Sequence, residues 1–178
     1  MFSDTFKIVR LSEANKILHF NCDNKDLNEF LLKDAVDYAD NLLEVTYLFE
    51  VDTRTLAFFS LINDKISLEE CFSKNNYKSN FTYKMPKGMK HNSFPAVKLG
   101  RLAVTLDMQY QGIGTSILDY LKLTFALNNR TGCRYITVDA FEDSLTFYEK
   151  NGFEYFLKKD KHDQTRSMYF DLDKVTKQ

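Results

Sequence analysis

The stretch LGRLAVTLDMQYQGIGTSILDYL, residues 99–121, decides how this chain is read. AVKLGRLAV has the composition of a strand ending near Val104. GIGTSILDYLKLTFALNNR, from Gly112, puts Ile113, Ile117, Leu118, Leu121 and Phe125 on one face of a helix. Between them runs a loop from Thr105 to Gln111. A helix opens with unpaired N–H groups and the positive end of its dipole, so this strand–loop–helix unit can receive an anion such as phosphate. Gly112 and Gly114 remove Cβ atoms where a ligand would press on the backbone. Gln109 and Gln111 add uncharged donors. The spacing fits neither the dinucleotide fingerprint, which wants a third glycine, nor the P-loop, which wants Gly-Lys-Ser/Thr.

Working outward, strand and helix signals alternate. FKIVRL, VTYLFEV and TLAFFSLI read as strands, the last two as a hairpin across Asp52-Thr53-Arg54. Leu27, Phe30, Leu31, Ala35, Tyr38 and Ala39 recur at helical spacing, with Asp23 or Asn24 placed to cap. After the long helix come a strand in RYITVDA and a short helix in SLTFYEKNGF ending at Gly152. FEYFLK and SMYFDL give two more strands. The order β-α-β-β-loop-β-α-β-α-β-β is that of a mixed α/β chain. Residues 63–94 are expected to be irregular, broken by Pro86 and Gly88, and locally basic: Lys65, Lys74, Lys78, Lys84, Lys87 and Lys90 against Asp64, Glu69 and Glu70.

The 178 residues suit one domain, 1–178, with a long loop insertion at about 63–94. Apolar residues at 44% supply a real core without metals or disulfides. A net charge of −1 gives no global pull toward nucleic acid or a membrane surface. Cys22, Cys71 and Cys133 are odd in number and widely spaced, which matches neither a disulfide framework nor a zinc spacing, so no metal site is expected. The N-terminus lacks an apolar signal region and no run is long enough to span a bilayer. The expectation is a cytoplasmic protein in a reducing compartment.

Gln109-x-x-Gly112-x-Gly114, between that strand and that helix, resembles the Arg/Gln-x-x-Gly-x-Gly/Ala motif of the GCN5-related N-acetyltransferases, the GNAT family. TVDAFEDSLTFYEKNGFEYF, with Phe147-Tyr148-x-x-x-Gly152-Phe153, resembles the family's late strand and helix. The clear resemblance covers about residues 95–157. It implies a GNAT-like mixed, mostly antiparallel central sheet with flanking helices and two splayed parallel central strands. In the family, coenzyme A lies in that gap.

Carried over by position, the resemblance gives the backbone of Leu102, Ala103 and Val104 to the pantetheine arm of acetyl-CoA. It gives the pyrophosphate to the N–H groups of Gln109, Gln111, Gly112, Ile113 and Gly114, with Thr115. The implied reaction is direct attack of an amine on the acetyl thioester, with Tyr148 as proton donor to the departing thiolate. The base is left open among Asp107, Asp139, Glu142 and water. His91 and His162 read as exposed histidines. Arg101, an ion inside an apolar strand, is expected to reach a carboxylate or the acceptor.

FNCDNKDLNEFLLKDA also resembles the opening of the GNAT toxins that acetylate aminoacyl-tRNA, a subgroup in which the tyrosine at the position of Tyr148 is essential. The lack of net positive charge and the 63–94 insertion speak against tRNA. The expectation is therefore a stand-alone N-acetyltransferase for a small-molecule or peptide amine. A tRNA-acetylating toxin and a non-catalytic coenzyme A-binding or interaction module stay open, as does a homodimer. Acceptor pockets in this fold come from about 20–40 and 63–94, and no motif there names the acceptor.

Overall fold

The computed structural model describes residues 6–13, 17–52, 54–67, 93–129, 131–156 and 164–177. The expected loop at 63–94 falls mostly on 68–92, outside the described residues, as do His91 and His162. Among the described residues there are seven strands: β1 (Lys7–Arg10), β2 (Val45–Val51), β3 (Arg54–Ser67), β4 (Ser93–Val104), β5 (Tyr135–Phe141), β6 (Glu154–Tyr155) and β7 (Thr165–Asp171). The helices are α1 (Lys25–Glu29), α2 (Ala35–Asp40), α3 (Ile113–Leu127), α4 (Leu145–Lys150) and α5 (Asp173–Thr176). Among the described residues the sheet is mixed and mostly antiparallel, and β4–β5 is a parallel pair. The chain forms two compact units, residues 1–62 with 99–121, and 63–98 with 122–178.

In the first unit the strand order is β1-β2-β3-β4. Asp52, at φ +50°, turns the β2–β3 hairpin, a conformation that Asp tolerates better than most residues. Asn24 caps α1, its side-chain oxygen accepting the Leu27 N–H at 3.1 Å. Between α1 and α2 the helix widens into one π turn, Phe30–Asp34. Phe30, Leu31 and Ala35 bury against Leu48, Phe58 and Ala103 of the sheet. Elsewhere in the unit Tyr47 stacks on Phe59 at 5.2 Å, and Tyr120 of α3 meets Phe59 at 6.5 Å. Ile117, Leu118 and Leu121 are buried, as their 3.6-residue spacing foretold.

In the second unit the order is β3-β4-β5-β7-β6. β4 and β5 run parallel from Ala96↔Tyr135 to Lys98↔Thr137, and each strand continues beyond those three pairs. β5 and β7 pair antiparallel from Tyr135↔Asp171 to Phe141↔Thr165. A core of Ile66, Phe94, Ala96, Tyr135, Phe156 and Tyr169 fills one face. Two expectations are corrected here. β3 runs on through Asn63-Asp64-Lys65, polar residues read as loop, because Ile66 resumes the alternation and is fully buried. FEYFLK yields only the two-residue β6 among the described residues.

Candidate active site

The glycine turn belongs to the first unit and is tied down at several points. After β4 ends, Thr105 N–H donates to Leu56 C=O and Leu106 N–H to Asn21 C=O, each at 2.8 Å. A 3-10 turn, Leu106–Met108, follows. The Gln109 side-chain amide donates to both Val104 C=O and Cys22 C=O at 3.1 Å. Gln111 donates to Asp107 C=O at 3.0 Å. The two glutamines therefore spend their side chains on shaping the loop, which leaves the backbone to meet a ligand.

Tyr110, at φ +60°, is fully exposed, and Gly112 sits at φ +87°. Nothing lies within 4 Å of where a Gly112 Cβ would stand, so conformation rather than crowding favours glycine there. The first bond inside α3 is Ser116 N–H to Gly112 C=O at 2.9 Å. The N–H groups of Ile113, Gly114 and Thr115 precede it and have no acceptor within the helix. A cavity of about 330 Å³ in this unit adjoins the turn through Gln111 and Ile113; Phe49, Met108, Ile117 and Tyr120 also line it, and its mostly apolar walls do not suit a phosphate.

On β4, Ala103 is buried in the core, while Leu102 and Val104 are half-buried. One residue earlier, Arg101 resolves its expectation in favour of a carboxylate. It bonds Glu44, which is 3% exposed. Glu44 accepts a second hydrogen bond from buried Ser60. The Arg101 guanidinium lies over the Phe30 ring at 3.6 Å, and a Cβ at Gly100 would stand 2.5 Å from Glu44 Oε1. Sequence reading missed Glu44, Ser60 and Phe30 as this group's partners; the ion in an apolar strand was the only signal.

Tyr148 belongs to the second unit. Its helix α4 ends in a Schellman cap: Phe153 N–H donates to Tyr148 C=O at 3.0 Å, and Gly152 N–H to Glu149 C=O at 2.9 Å. Gly152 takes the left-handed conformation the cap needs, φ +81°. The Phe153 ring packs on the Tyr148 ring at 5.3 Å, the apolar contact that accompanies such caps. The Tyr148-x-x-x-Gly152-Phe153 spacing is thus a mechanical device that fixes the tyrosine. Tyr148 is 7% exposed, and burial pushes its phenol well above the ordinary value.

Two of the three candidate bases are already engaged. Asp107, in the first unit, pairs with Arg54 at 2.7 Å, and that hydrogen bond holds its carboxyl below the usual range. Asp139, in the second unit, is partly buried, which alone would raise it. Hydrogen bonds from Lys98 and Ser167 outweigh that and hold it low. Glu142 is exposed in the 3-10 turn Glu142–Ser144.

Residues 82–155 match the family model described as an acetyltransferase (GNAT) domain. This segment of the chain is similar to a GNAT acetyltransferase domain. No curated protein matches the chain. Its fold is that of known GNAT toxins. AtaT in complex with acetyl-methionyl-tRNAfMet superposes with a TM-score of 0.75 at 20% identity, over 97% of this chain and 98% of that one. A tyrosine-to-phenylalanine variant of KacT gives 0.75 at 21%, over 97% and 98%. A corresponding AtaT variant, bound to the C-terminus of the antitoxin AtaR and acetyl-CoA, gives 0.69 at 20%, over 97% and 96%. The mixed, mostly antiparallel sheet was legible in the sequence. Among the described residues, no helix is long and apolar enough to cross a membrane.

Proposed function

We propose that this chain transfers the acetyl group of acetyl-CoA to an α-amine. The observation that carries the proposal is the braced turn before α3, with its three N–H groups and the open space above Gly112. In this proposal the N–H groups from Gln111 to Thr115 hold the pyrophosphate. The Gln109 side chain keeps the loop in shape, and the backbone of Leu102, Ala103 and Val104 carries the pantetheine arm.

The amine nitrogen attacks the thioester carbonyl, the C–N bond forms and the C–S bond breaks. The proton of the new ammonium leaves to water. The departing thiolate takes a proton from the Tyr148 hydroxyl, which is refilled from solvent. With its pKa raised, Tyr148 holds that proton throughout the neutral range.

The acceptor class follows from how readily the amine sheds its proton. Asp107 and Asp139 are committed to Arg54 and Lys98, which leaves exposed Glu142 and water to take the proton and favours an amine that is already partly neutral. At pH 7 about a tenth of an α-amine is neutral, against about one in two thousand for a lysine or alkyl amine. That difference favours α-amines by more than two orders of magnitude. Aminoacyl-tRNA is the first such acceptor, supported by toxins that share the fold over nearly all of both chains. A protein antitoxin is then the expected partner. A free peptide or amino-acid α-amine is the second reading. It is favoured by the net charge of −1 and by the exposed acids Asp34, Asp37 and Asp40, which repel the phosphates that dominate tRNA affinity.

Incubation with radiolabelled acetyl-CoA and, separately, charged tRNA, peptides with free N-termini, and polyamines tests this. Label on tRNA or peptide α-amines but not on polyamines is the expected result. Label on polyamines alone would refute the α-amine class. No label on any acceptor, despite acetyl-CoA binding, would leave a non-catalytic coenzyme A-binding module.

A further inference from the structure

The helix pair α1–α2 ends in an unpartnered apolar turn. Leu42 N–H donates to Ala39 C=O at 3.1 Å and Leu43 N–H to Tyr38 C=O at 2.9 Å. This is the same Schellman pattern that closes α4, where glycine occupies the left-handed position. Here that position is Leu42, at φ +59°, with 88% of its surface exposed. Leu43, 60% exposed, follows it, and Leu32 on the π turn is 58% exposed. A leucine gains nothing by standing in water in a conformation that favours glycine.

The charges around this turn say what would cover it. Asp34, Asp37 and Asp40 recur every third residue from the N-cap of α2 to its last residue, so neighbours repel. Asp34 and Asp37 stand at the start and in the first turn, while Asp40 closes the helix at the negative end of its dipole, where cations are favoured, and the last turn carries no basic residue. All three are exposed, and none forms an ion pair among the described residues. A partner bringing both lysine or arginine and apolar side chains would relieve the repulsion and cover the leucines. A nucleic acid would do neither.

We propose that the α2 end, anchored by Leu42 and Leu43 and rimmed by Asp34, Asp37 and Asp40, docks a cationic amphipathic segment of another protein. The proposal does not depend on the acetyl acceptor.

The test uses the full chain and a fluorescein-labelled amphipathic helix of leucine and lysine, read by anisotropy. Leucine–glutamate and serine–lysine peptides of equal length are controls. The wild type is expected to bind only the leucine–lysine peptide, more weakly as salt rises. Leu42→Gly is expected to weaken binding about tenfold or more while the fold melts no lower, because glycine suits that position. Asp37→Lys with Asp40→Lys is expected to weaken binding as much. Unchanged affinity in both variants, or equal binding of either control peptide, would overturn the proposal. So would sedimentation showing self-association that Leu42→Gly abolishes, since the occupant would then be a second copy of the chain.

Discussion

Arg101 and Glu44 form an ion pair inside the first unit, and its energetics are asymmetric. Removing one partner leaves the other charge buried and uncompensated, which costs about 3–5 kcal/mol. Arg101→Ala is expected to fall at the upper end, because the carboxylate it strands, Glu44, has a side chain only 2% exposed. Arg101→Lys keeps the charge but loses the flat stacking on Phe30, and is expected to cost less. Urea unfolding of both variants checks the order; equal losses would mean stacking rather than charge sets the stability. The need for a carboxylate opposite Arg101 was legible in the strand, but its identity was not, since Glu44 lies 57 residues away along the chain. Tyr148 supports a second prediction. Tyr148→Phe is expected to keep acetyl-CoA affinity and lose most turnover, as measured by calorimetry and initial rates. The pH profile follows in sign: the rate should rise through the acceptor's own pKa, near 8 for an α-amine. No fall from loss of the tyrosine proton is expected below about pH 10, because burial has moved that titration upward. A retained full rate in Tyr148→Phe would reduce the residue to packing.

At the scale of elements, two glycines in left-handed conformation do different work. Gly152 closes α4, and a Cβ there would stand 3.2 Å from the Phe170 ring, so Gly152→Ala meets both strain and crowding. A loss of about 1–2 kcal/mol is expected, from the conformational penalty and the tight contact. The altered cap should displace Tyr148 and lower turnover more than acetyl-CoA affinity. At Gly112 the space is open, so Gly112→Ala costs only the conformational penalty. Gly112→Glu adds a carboxylate where the phosphates are proposed to sit, and is expected to abolish acetyl-CoA binding while the fold survives. Binding of unchanged strength would remove the turn from the site. What was legible here were elements whose rules are local: the period of α3, the Asn24 cap, the Gly152 stop. The π turn at Phe30–Asp34 was not, because its extra residue per turn is selected by packing of Phe30 and Leu31 on the sheet, which no local pattern records. The same holds for the end of β3, where burial of Ile66 overrides the loop character of Asn63-Asp64-Lys65.

At the scale of the whole molecule, averages conceal what the surface does. A net charge of −1 reads as indifference to charged partners, yet Asp34, Asp37 and Asp40 line one short helix from its N-cap to its end while the sequence of 63–94 is rich in lysine. Charges clustered this way along the sequence cancel in the sum, so composition alone speaks only weakly against tRNA. Ligand-linked stability is a property of the whole chain and tests the cofactor assignment without knowledge of the acceptor. A ligand that binds only the folded state adds about 2.7 kcal/mol at a hundredfold excess over its dissociation constant. For a chain of this length each kcal/mol moves the melting midpoint by about 2–4 °C. Acetyl-CoA should therefore raise the midpoint by about 5–10 °C. Pantetheine, which lacks the pyrophosphate, should raise it little. Gly112→Glu should abolish the acetyl-CoA shift, and Tyr148→Phe should retain it, because the first removes the proposed phosphate hold and the second only the proton donor. An equal shift with pantetheine would mean the glycine turn holds nothing. No shift with saturating acetyl-CoA would mean that the similarity of residues 82–155 to a GNAT domain does not extend to a cofactor site.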